Sequence, residues 1–492
     1  MISVFCYPLN THKTDGQREE GRTKNLNRKM AAVDEALYGR GHAALEASPP
    51  QSLRALRAAV KQWCCYGEDA APGDGVVDGG GGEDDAVVVV VVGGGGGKAW
   101  AGRRAVFWRV FMGLLPAGAP GRWKDELSAK RLQYREFLRE FKLDDEDAVA
   151  SRAKAAPAER SNASADGELM TVTVSDPLSH PLCSSESNSE WNEYFKDKEL
   201  MEQIDKDVHR THPDIEFFSA PDTEGVRAAG SQPSTASASA TQQQQRSAHV
   251  GGYAFNKMKL AMRRMLFVYA KLNPGLKYVQ GMNELLAPIL YCYATAPEDD
   301  GAGAGAGGAT GYDEGDAFFS LVDLFSEFRD YYCKQLDDSS VGIKATLENL
   351  SLRLRRFDPQ LASHLDALGI SSQFYAFRWV TLIFTQEFSF HDTLVLWDYL
   401  LADNRGRIEC IIDIACSMLL LLRERLLHGD FATNVKLLQG YPTHEIGVRK
   451  VMRMAERMLT LDVRDVHAAI ADIMNEGSED RVDGPDAASP NV

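Results

Sequence analysis

NPGLKYVQGMN, at residues 273–283, separates two segments whose apolar residues repeat at helical spacing. Met262 and Leu266 belong to the apolar face of the first segment, and Leu286 and Leu290 belong to that of the second. The proline and glycine near the start of the stretch end the first helix, and the asparagine at its end is a good N-cap for the second. The stretch therefore predicts two helices joined by a short connector.

The same helical period extends over most of the remaining chain. It recurs at residues 318–332, 341–357, 359–368, 374–387, 393–401, 408–427 and 446–458. No alternation of apolar and polar residues is long enough to predict a strand. We therefore predict an all-α fold, with one extended core that surface insertions interrupt.

Low-complexity stretches divide this core. One of them joins a run of six valines to a run of five glycines, and such repeats cannot build a packed interior. We predict insertions at about 67–98, 143–186, 220–250 and 297–311 within a folded region that covers 51–460. A mobile N-terminal segment over 1–50 and a C-terminal helix with a disordered tail over 461–492 complete the predicted organisation.

The chain is acidic. Its 492 residues include 70 acidic and 54 basic side chains, which give a formal net charge of −16. This balance disfavours a nucleic-acid-binding protein and broad adhesion to anionic lipid, because both need a basic surface. The longest apolar run, residues 411–422, contains Asp413 and is shorter than the roughly 20 residues of a membrane span. We predict a soluble, cytoplasmic protein without a transmembrane segment.

Cysteine and histidine give no sign of a disulfide framework or a metal site. The eight cysteines form no C-x-x-C pair, and several stand in apolar helical stretches, so we predict reduced and mostly buried thiols. His209, His212 and His364 lack further ligands at a useful spacing, so we predict no metal site.

The connector between the first two helices carries a polar candidate, Gln280. Gly281 beside it lets another backbone approach closely, and Tyr278 and Met282 are apolar enough to anchor the loop on either side. A functional interpretation is that Gln280 enters the site of a partner. The alternative is a structural turn in which Gln280 satisfies a backbone group.

A second candidate, Arg210, stands at the end of a predicted helix over 197–211. Leu200, Ile204 and Val208 form a buried stripe of this helix, while Asp207 and Arg210 share another face at three-residue spacing. The functional interpretation is that Arg210 projects into the active site of a partner and Asp207 holds it. The alternative is an ordinary surface ion pair that contributes a few tenths of a kcal/mol.

An arginine and a glutamine together are the pair that GTP hydrolysis needs, a cation for the developing phosphate charge and an amide that orients water. The motifs I-x-x-D-x-x-R at 204–210 and Y-x-Q-G at 278–281 resemble the signature of the TBC-domain family of Rab GTPase-activating proteins. Further motifs of that family follow in the same order along residues 53–460: Arg104 and Trp108 with Leu114-Leu115-Pro116, Phe377-Arg378-Trp379, Gln386-Glu387-Phe388 and Leu396-Trp397-Asp398.

The resemblance implies a helical TBC domain of two lobes. It implies that Arg210 and Gln280 act in trans as an arginine finger and a glutamine finger on a GTP-loaded Rab GTPase. It also implies these supporting residues: Asp207, Tyr278, Gly281, Asn283 and Arg264. The chain would then be an enzyme regulator in vesicle trafficking without a cofactor of its own, because Mg-GTP stays on the GTPase. Peripheral recruitment to endomembranes through partners is compatible with it.

One departure from the family pattern and three alternatives remain at this stage. The Gly-Ile-Pro that commonly precedes the arginine motif is missing, which affects the N-terminal edge rather than the fingers. The same scaffold could bind a Rab without accelerating it. Gly93–Lys98 could indicate a nucleotide-binding enzyme, although Ala99 stands where a P-loop needs Ser or Thr. For Arg264 the alternative is a solvated helix face, and Trp379 and Trp397 are predicted to be core residues.

Overall fold

The computed structural model describes eight parts of the chain: residues 51–66, 97–117, 119–143, 187–219, 248–250, 253–296, 312–332 and 342–475. The segment 1–50, the tail after 475 and most of the four predicted insertions lie outside the described residues. Within the described ranges, each helix is too short or too polar to cross a bilayer.

The described residues form helices almost throughout. The first group comprises α1 (Gln51–Tyr66), α2 (Gly97–Phe111), α3 (Trp123–Glu140), α4 (Ser187–Arg210), α5 (Glu216–Ser219), α6 (Lys257–Leu272), α7 (Met282–Ala294) and α8 (Glu314–Phe328). The second group comprises α9 (Ile343–Phe357), α10 (Pro359–Ala367), α11 (Ala376–Thr381), α12 (Phe390–Leu401), α13 (Arg407–Leu421), α14 (Arg423–His428), α15 (Phe431–Gln439), α16 (Val448–Met458) and α17 (Val466–Asn475).

Each group packs around central helices. Helix α6 contacts α4, α7 and α8 in the first group, and α13 contacts α9, α12 and α16 in the second. Helices α7 and α13 are apolar on nearly all sides and are buried along most of their length, as expected for central helices. The predicted all-α fold in two lobes is confirmed.

Buried polar contacts join the two groups. Asp398 of α12 accepts hydrogen bonds from the Arg104 Nε at 3.0 Å and from the Trp108 Nε1 at 2.7 Å, and both donors belong to α2. The rings of Trp108 and Trp397 lie 5.7 Å apart beside this contact. Because all four side chains are buried, the family motifs that contain them have a packing role, and the prediction of Trp397 as a core residue is confirmed. Trp379 is buried as well.

The prediction of a single helix over 374–387 is wrong. Helix α11 covers only Ala376–Thr381, because Ile383 and Phe384 adopt φ values of 48° and 61° that a right-handed helix cannot contain. Both side chains are buried, and the Trp397 Nε1 donates to the Ile383 carbonyl at 3.1 Å. Tertiary contacts therefore hold a turn where the local apolar period predicts a helix.

Other boundaries also differ from the prediction. The segment 408–427 forms two helices, since α13 ends at Leu421 and α14 begins at Arg423. A break of one residue leaves the apolar period intact, so the sequence pattern does not reveal it. Helix α15, which the sequence analysis does not predict, is short and buries few side chains.

A small antiparallel ribbon is the exception to the helical fold. Strands β1 (Ala248–Val250) and β2 (Tyr253–Phe255) pair so that Ala248 lies opposite Phe255. The first strand falls within the predicted insertion 220–250, and strands of three residues are too short to show a strand period. Strand β2 packs against α4 and α6, so the ribbon belongs to the folded region.

Candidate functional site

Helix α4 presents Arg210 at its C-terminal end. Ile204 and Val208 are fully buried against the core, whereas the Arg210 side chain is 59% exposed. His212, two residues further on, adopts a φ of 38° and turns the chain away from the helix axis. The burial of one face fixes the helix, and its end leaves the guanidinium accessible to a partner.

A single buried carboxylate connects this helix end to the glutamine loop. Asp207, whose side chain is 4% exposed, accepts a hydrogen bond from the Arg210 Nη2 on one oxygen. Its other oxygen accepts a hydrogen bond of 2.7 Å from the Tyr278 hydroxyl. Burial, and then the Asp207 charge, raise the pKa of Tyr278 far above its ordinary value, so the hydroxyl stays protonated and donates. The two sequence motifs therefore meet at Asp207.

Asn283 reinforces the same junction in a way that the sequence analysis does not predict. Helix α7 begins at Met282 and has Gly281 as its N-cap residue, so the prediction that Asn283 caps this helix is wrong. Its amide instead donates to the Thr211 Oγ1 at 2.9 Å, directly after Arg210. Asn283 therefore lies in the first turn of α7 and links that turn to the residue that follows α4.

Gln280 is exposed between two anchored neighbours. The Tyr278 ring and the Met282 side chain are buried on either side of it. Gly281 has a φ of 100°, and a Cβ atom there would lie 2.8 Å from the Leu382 Cδ2. Only glycine fits this combination of backbone angle and contact without strain, so the loop needs Gly281 in order to hold Gln280 in this position.

Arg264 lies in the interior between α6 and α8. Its side chain is 7% exposed, so the solvated helix face is wrong. The guanidinium ion-pairs with Glu314 of α8, and the Arg264 Nε lies 3.2 Å from the Glu314 Oε2. Burial removes the Arg264 guanidinium from water, and the Glu314 carboxylate offsets part of the cost of burying that charge. This ion pair joins α6 to α8, so it contributes to the scaffold below the loop.

Three side chains near the junction are missing from the sequence-based set. Thr211 donates its hydroxyl to the Asp207 carbonyl at 2.9 Å, and Glu284 accepts from the Asn283 amide at 3.0 Å. His212 lies with its Nε2 3.5 Å from the Glu284 Oε2. Burial lowers the pKa of His212 and raises that of Glu284. In the sequence, Thr211, His212 and Glu284 are indicated only by their positions next to the two motifs.

The arrangement combines exposed donors with a rigid base. Arg210 uses one of its five N–H donors for Asp207, so the remaining donors can bind an anion. The Gln280 carboxamide offers both a donor and an acceptor. These are groups that can bind phosphate oxygens and orient a water molecule.

Comparisons with known proteins identify the same type of domain. Residues 245–427 match the Rab-GTPase-TBC domain, a range that includes Gln280 and begins after Arg210. The chain is 34% identical over 375 residues to TBC1 domain family member 13 of Homo sapiens, which covers 70% of this chain and 87% of that protein. The Mus musculus member 13 matches with the same identity and coverage.

A solved structure, the Ypt/Rab-GAP domain of Gyp1p, aligns with 73% of this chain and 88% of its own at 19% identity and a TM-score of 0.46. The sequence match to member 13 carries the assignment, because it spans most of both chains at more than 30% identity. This chain therefore belongs to the TBC-domain family of Rab GTPase-activating proteins.

Proposed function

We propose that this protein accelerates GTP hydrolysis on a GTP-loaded Rab GTPase by inserting Arg210 as an arginine finger and Gln280 as a glutamine finger. The observation that carries the proposal is the Asp207 carboxylate, which binds both Arg210 and the Tyr278 hydroxyl of the glutamine loop. One buried group thereby sets the relative position of the two exposed side chains.

Arg210 supplies positive charge where the transition state needs it. As charge develops on the γ-phosphate and the bridging oxygen, the guanidinium donates hydrogen bonds to those oxygens. A trans arginine finger accelerates hydrolysis by roughly 10³–10⁵, which corresponds to about 4–7 kcal/mol of activation free energy. The Arg210 side chain is exposed, but its partner Asp207 is buried and keeps the Tyr278 hydroxyl as a donor, so loss of the guanidinium should cost the fold about 1.5–3 kcal/mol. A purely structural role would therefore affect stability without this loss of hydrolysis rate.

Gln280 orients the water molecule that attacks the γ-phosphate. Its carboxamide accepts a hydrogen bond from that water and donates one to the phosphate, in place of a glutamine of the GTPase itself. The nucleotide and its Mg²⁺ belong to the GTPase, so this chain contributes side chains and no cofactor. The GTPase and its membrane would determine where in vesicle trafficking the protein acts.

The test is single-turnover GTP hydrolysis over a panel of purified, GTP-loaded Rab proteins. Arg210→Ala and Arg210→Lys should lower the stimulated rate by at least about 10³-fold, because lysine lacks the planar fork of donors. Gln280→Ala should lower the rate by a comparable amount. The melting temperature of Gln280→Ala should stay close to that of the wild type, and the Arg210 variants should lose only the few degrees that one donor to the buried Asp207 carboxylate contributes.

A matched control is Arg355→Ala. Arg355 is also exposed on a helix and pairs with Asp366 at 2.6 Å, so its removal changes charge and surface to a similar extent. Its rate should equal that of the wild type. Full stimulation by Arg210→Ala, or binding of a Rab without any stimulation by the wild type, would contradict the proposal; the second result would favour a non-catalytic scaffold.

A further inference from the structure

The end of helix α4 leaves carbonyl groups that need donors. The Asp207 carbonyl accepts from the Thr211 hydroxyl at 2.9 Å, and the Val208 carbonyl accepts from the Thr211 backbone N–H at 3.2 Å. The His209 carbonyl accepts from the Lys259 Nζ at 2.6 Å. That carbonyl belongs to the peptide unit whose nitrogen is Arg210's own, so Lys259 binds the backbone directly next to the guanidinium.

Lys259 reaches this carbonyl from a rigid base. Its backbone N–H donates to the Asn256 Oδ1 at 2.9 Å, which caps the first turn of α6. The Asn256 Nδ2 donates in turn to the Phe217 carbonyl at 2.9 Å, in the segment that follows Arg210. The same cap therefore holds the lysine and the chain beyond the finger.

The burial of Lys259 makes its positive charge costly for the stability of the fold. The residue is 5% exposed, and burial lowers the pKa of its ammonium group. Among the described residues its side chain contacts the His209 carbonyl and forms no ion pair. A buried ammonium without a carboxylate costs free energy, although a helix C-terminus offsets part of that cost.

We propose that Lys259 is a positioning residue for the arginine finger, which it holds through the His209–Arg210 peptide; this rests on the proposed role of Arg210. Without the ammonium, the His209 carbonyl loses this donor and the last turn of α4 is held less firmly. The guanidinium then samples positions away from the phosphate. A displacement of about 1 Å at a catalytic group can cost up to roughly 100-fold in rate.

The experiment compares three Lys259 variants in single-turnover hydrolysis at increasing concentrations of the activator. Lys259→Met keeps the apolar stem and removes the donor, Lys259→Gln keeps a neutral donor, and Lys259→Arg keeps a charged one. Lys259→Met should lower the maximal rate about 10- to 100-fold and change the half-saturating concentration by less than about twofold. Lys259→Arg should restore most of the rate.

Lys271→Met is the matched control. Lys271 lies at the other end of α6 and binds Asp197 of α4 at 2.8 Å, so it joins the same two helices. Asp197 precedes Arg210 by 13 residues, or about 20 Å along a helix. Loss of the contact between Lys271 and Asp197 should therefore not displace Arg210. The maximal rate of Lys271→Met should stay within about twofold of the wild type.

A double variant separates positioning from a general effect. In the Arg210→Ala background, Lys259→Met should slow hydrolysis no further, because there is no guanidinium left to misplace. An equal slowing in both backgrounds, or an unchanged maximal rate for Lys259→Met, would overturn the inference. If Lys259→Met does not fold, the same comparison is made with Lys259→Leu, which also removes the donor. Undiminished activity of Arg210→Ala alone would instead refute the proposed function.

Discussion

The Tyr278 hydroxyl is the donor that ties the glutamine loop to the arginine helix. Its bond to the Asp207 carboxylate is 2.7 Å long and buried, and its second acceptor, the Asn283 Oδ1, lies at 3.4 Å. Tyr278→Phe removes the hydroxyl and keeps the buried ring. The change therefore isolates one hydrogen bond without opening a large cavity.

The size of the effect follows from the charge and burial of the acceptor. A hydrogen bond to an ionised group contributes about 1.5–3 kcal/mol to folding, so Tyr278→Phe should lower the free energy of unfolding by that amount. The Asp207 carboxylate keeps Arg210 as a partner, so the cost should stay below the roughly 3–5 kcal/mol of an isolated buried charge. Because the loop loses its tie, the maximal GTP hydrolysis rate should fall by roughly 10-fold or more.

Urea unfolding measures the first effect and single-turnover hydrolysis measures the second. The midpoint should fall while the slope stays constant, since the ring still buries the same surface. Tyr441→Phe is the control: the Tyr441 hydroxyl is also buried, but it donates over 3.4 Å to a neutral carbonyl, that of Met418. It should cost less than about 1 kcal/mol and leave the hydrolysis rate unchanged.

The reasoning fails if Tyr278→Phe and Tyr441→Phe behave alike in both assays. It also fails in part if Tyr278→Phe is destabilised but stimulates hydrolysis fully. In that case the hydroxyl stabilises the domain, and Gln280 keeps its position through Gly281 and Met282 alone.

Three further perturbations test other contacts. Gly281→Ala should destabilise the domain by about 1–2 kcal/mol and slow hydrolysis, because its φ of 100° is unfavourable for alanine and its Cβ would lie 2.8 Å from the Leu382 side chain. Asp316→Ala should cost about 3–5 kcal/mol in urea unfolding, because it leaves two arginines without their buried partner. Iodoacetamide at pH 8 should alkylate Cys292 and Cys416 roughly 10³-fold more slowly in native protein than in urea, because burial shields these thiols and raises their pKa.

Each of these has its own control and contrary result. Leu382→Ala should recover part of the Gly281→Ala loss, and no recovery would assign the whole effect to the backbone angle. Asp366→Ala removes an exposed partner and should cost less than about 1 kcal/mol, so an equal cost for Asp316→Ala would show that burial is not decisive. Peptide mass spectrometry follows each thiol separately, and fast native alkylation would show that these helices open readily.

The local sequence contains enough information for the helices and the loop of the candidate site. Proline and glycine after α6, and the apolar period on both sides, predict the connector that carries Gln280. The three-residue spacing of Asp207 and Arg210 predicts their pairing, which the structure contains. The bond from Tyr278 to Asp207 joins residues 71 positions apart, and no periodicity within one segment indicates such a partner.

Long-range packing also explains the failures. Arg264 stands in an amphipathic pattern as a polar residue, and its ion pair with Glu314 on α8 helps to offset the cost of its burial. Lys259 likewise gives no local sign that it binds a carbonyl of another helix. The turn at Ile383 and Phe384 contradicts the preference of β-branched and bulky residues for negative φ, and it persists because the core around Trp397 imposes it.

The hydrogen bond between Asn256 and Phe217 has a consequence for the segment between them. It closes the base of residues 220–247, since Phe217 precedes that segment and Asn256 follows it. With the base closed, doubling the number of intervening residues costs only about 0.6 kcal/mol of chain entropy. We therefore expect that changes in the length of this segment would leave the positions of Arg210 and Gln280 unchanged.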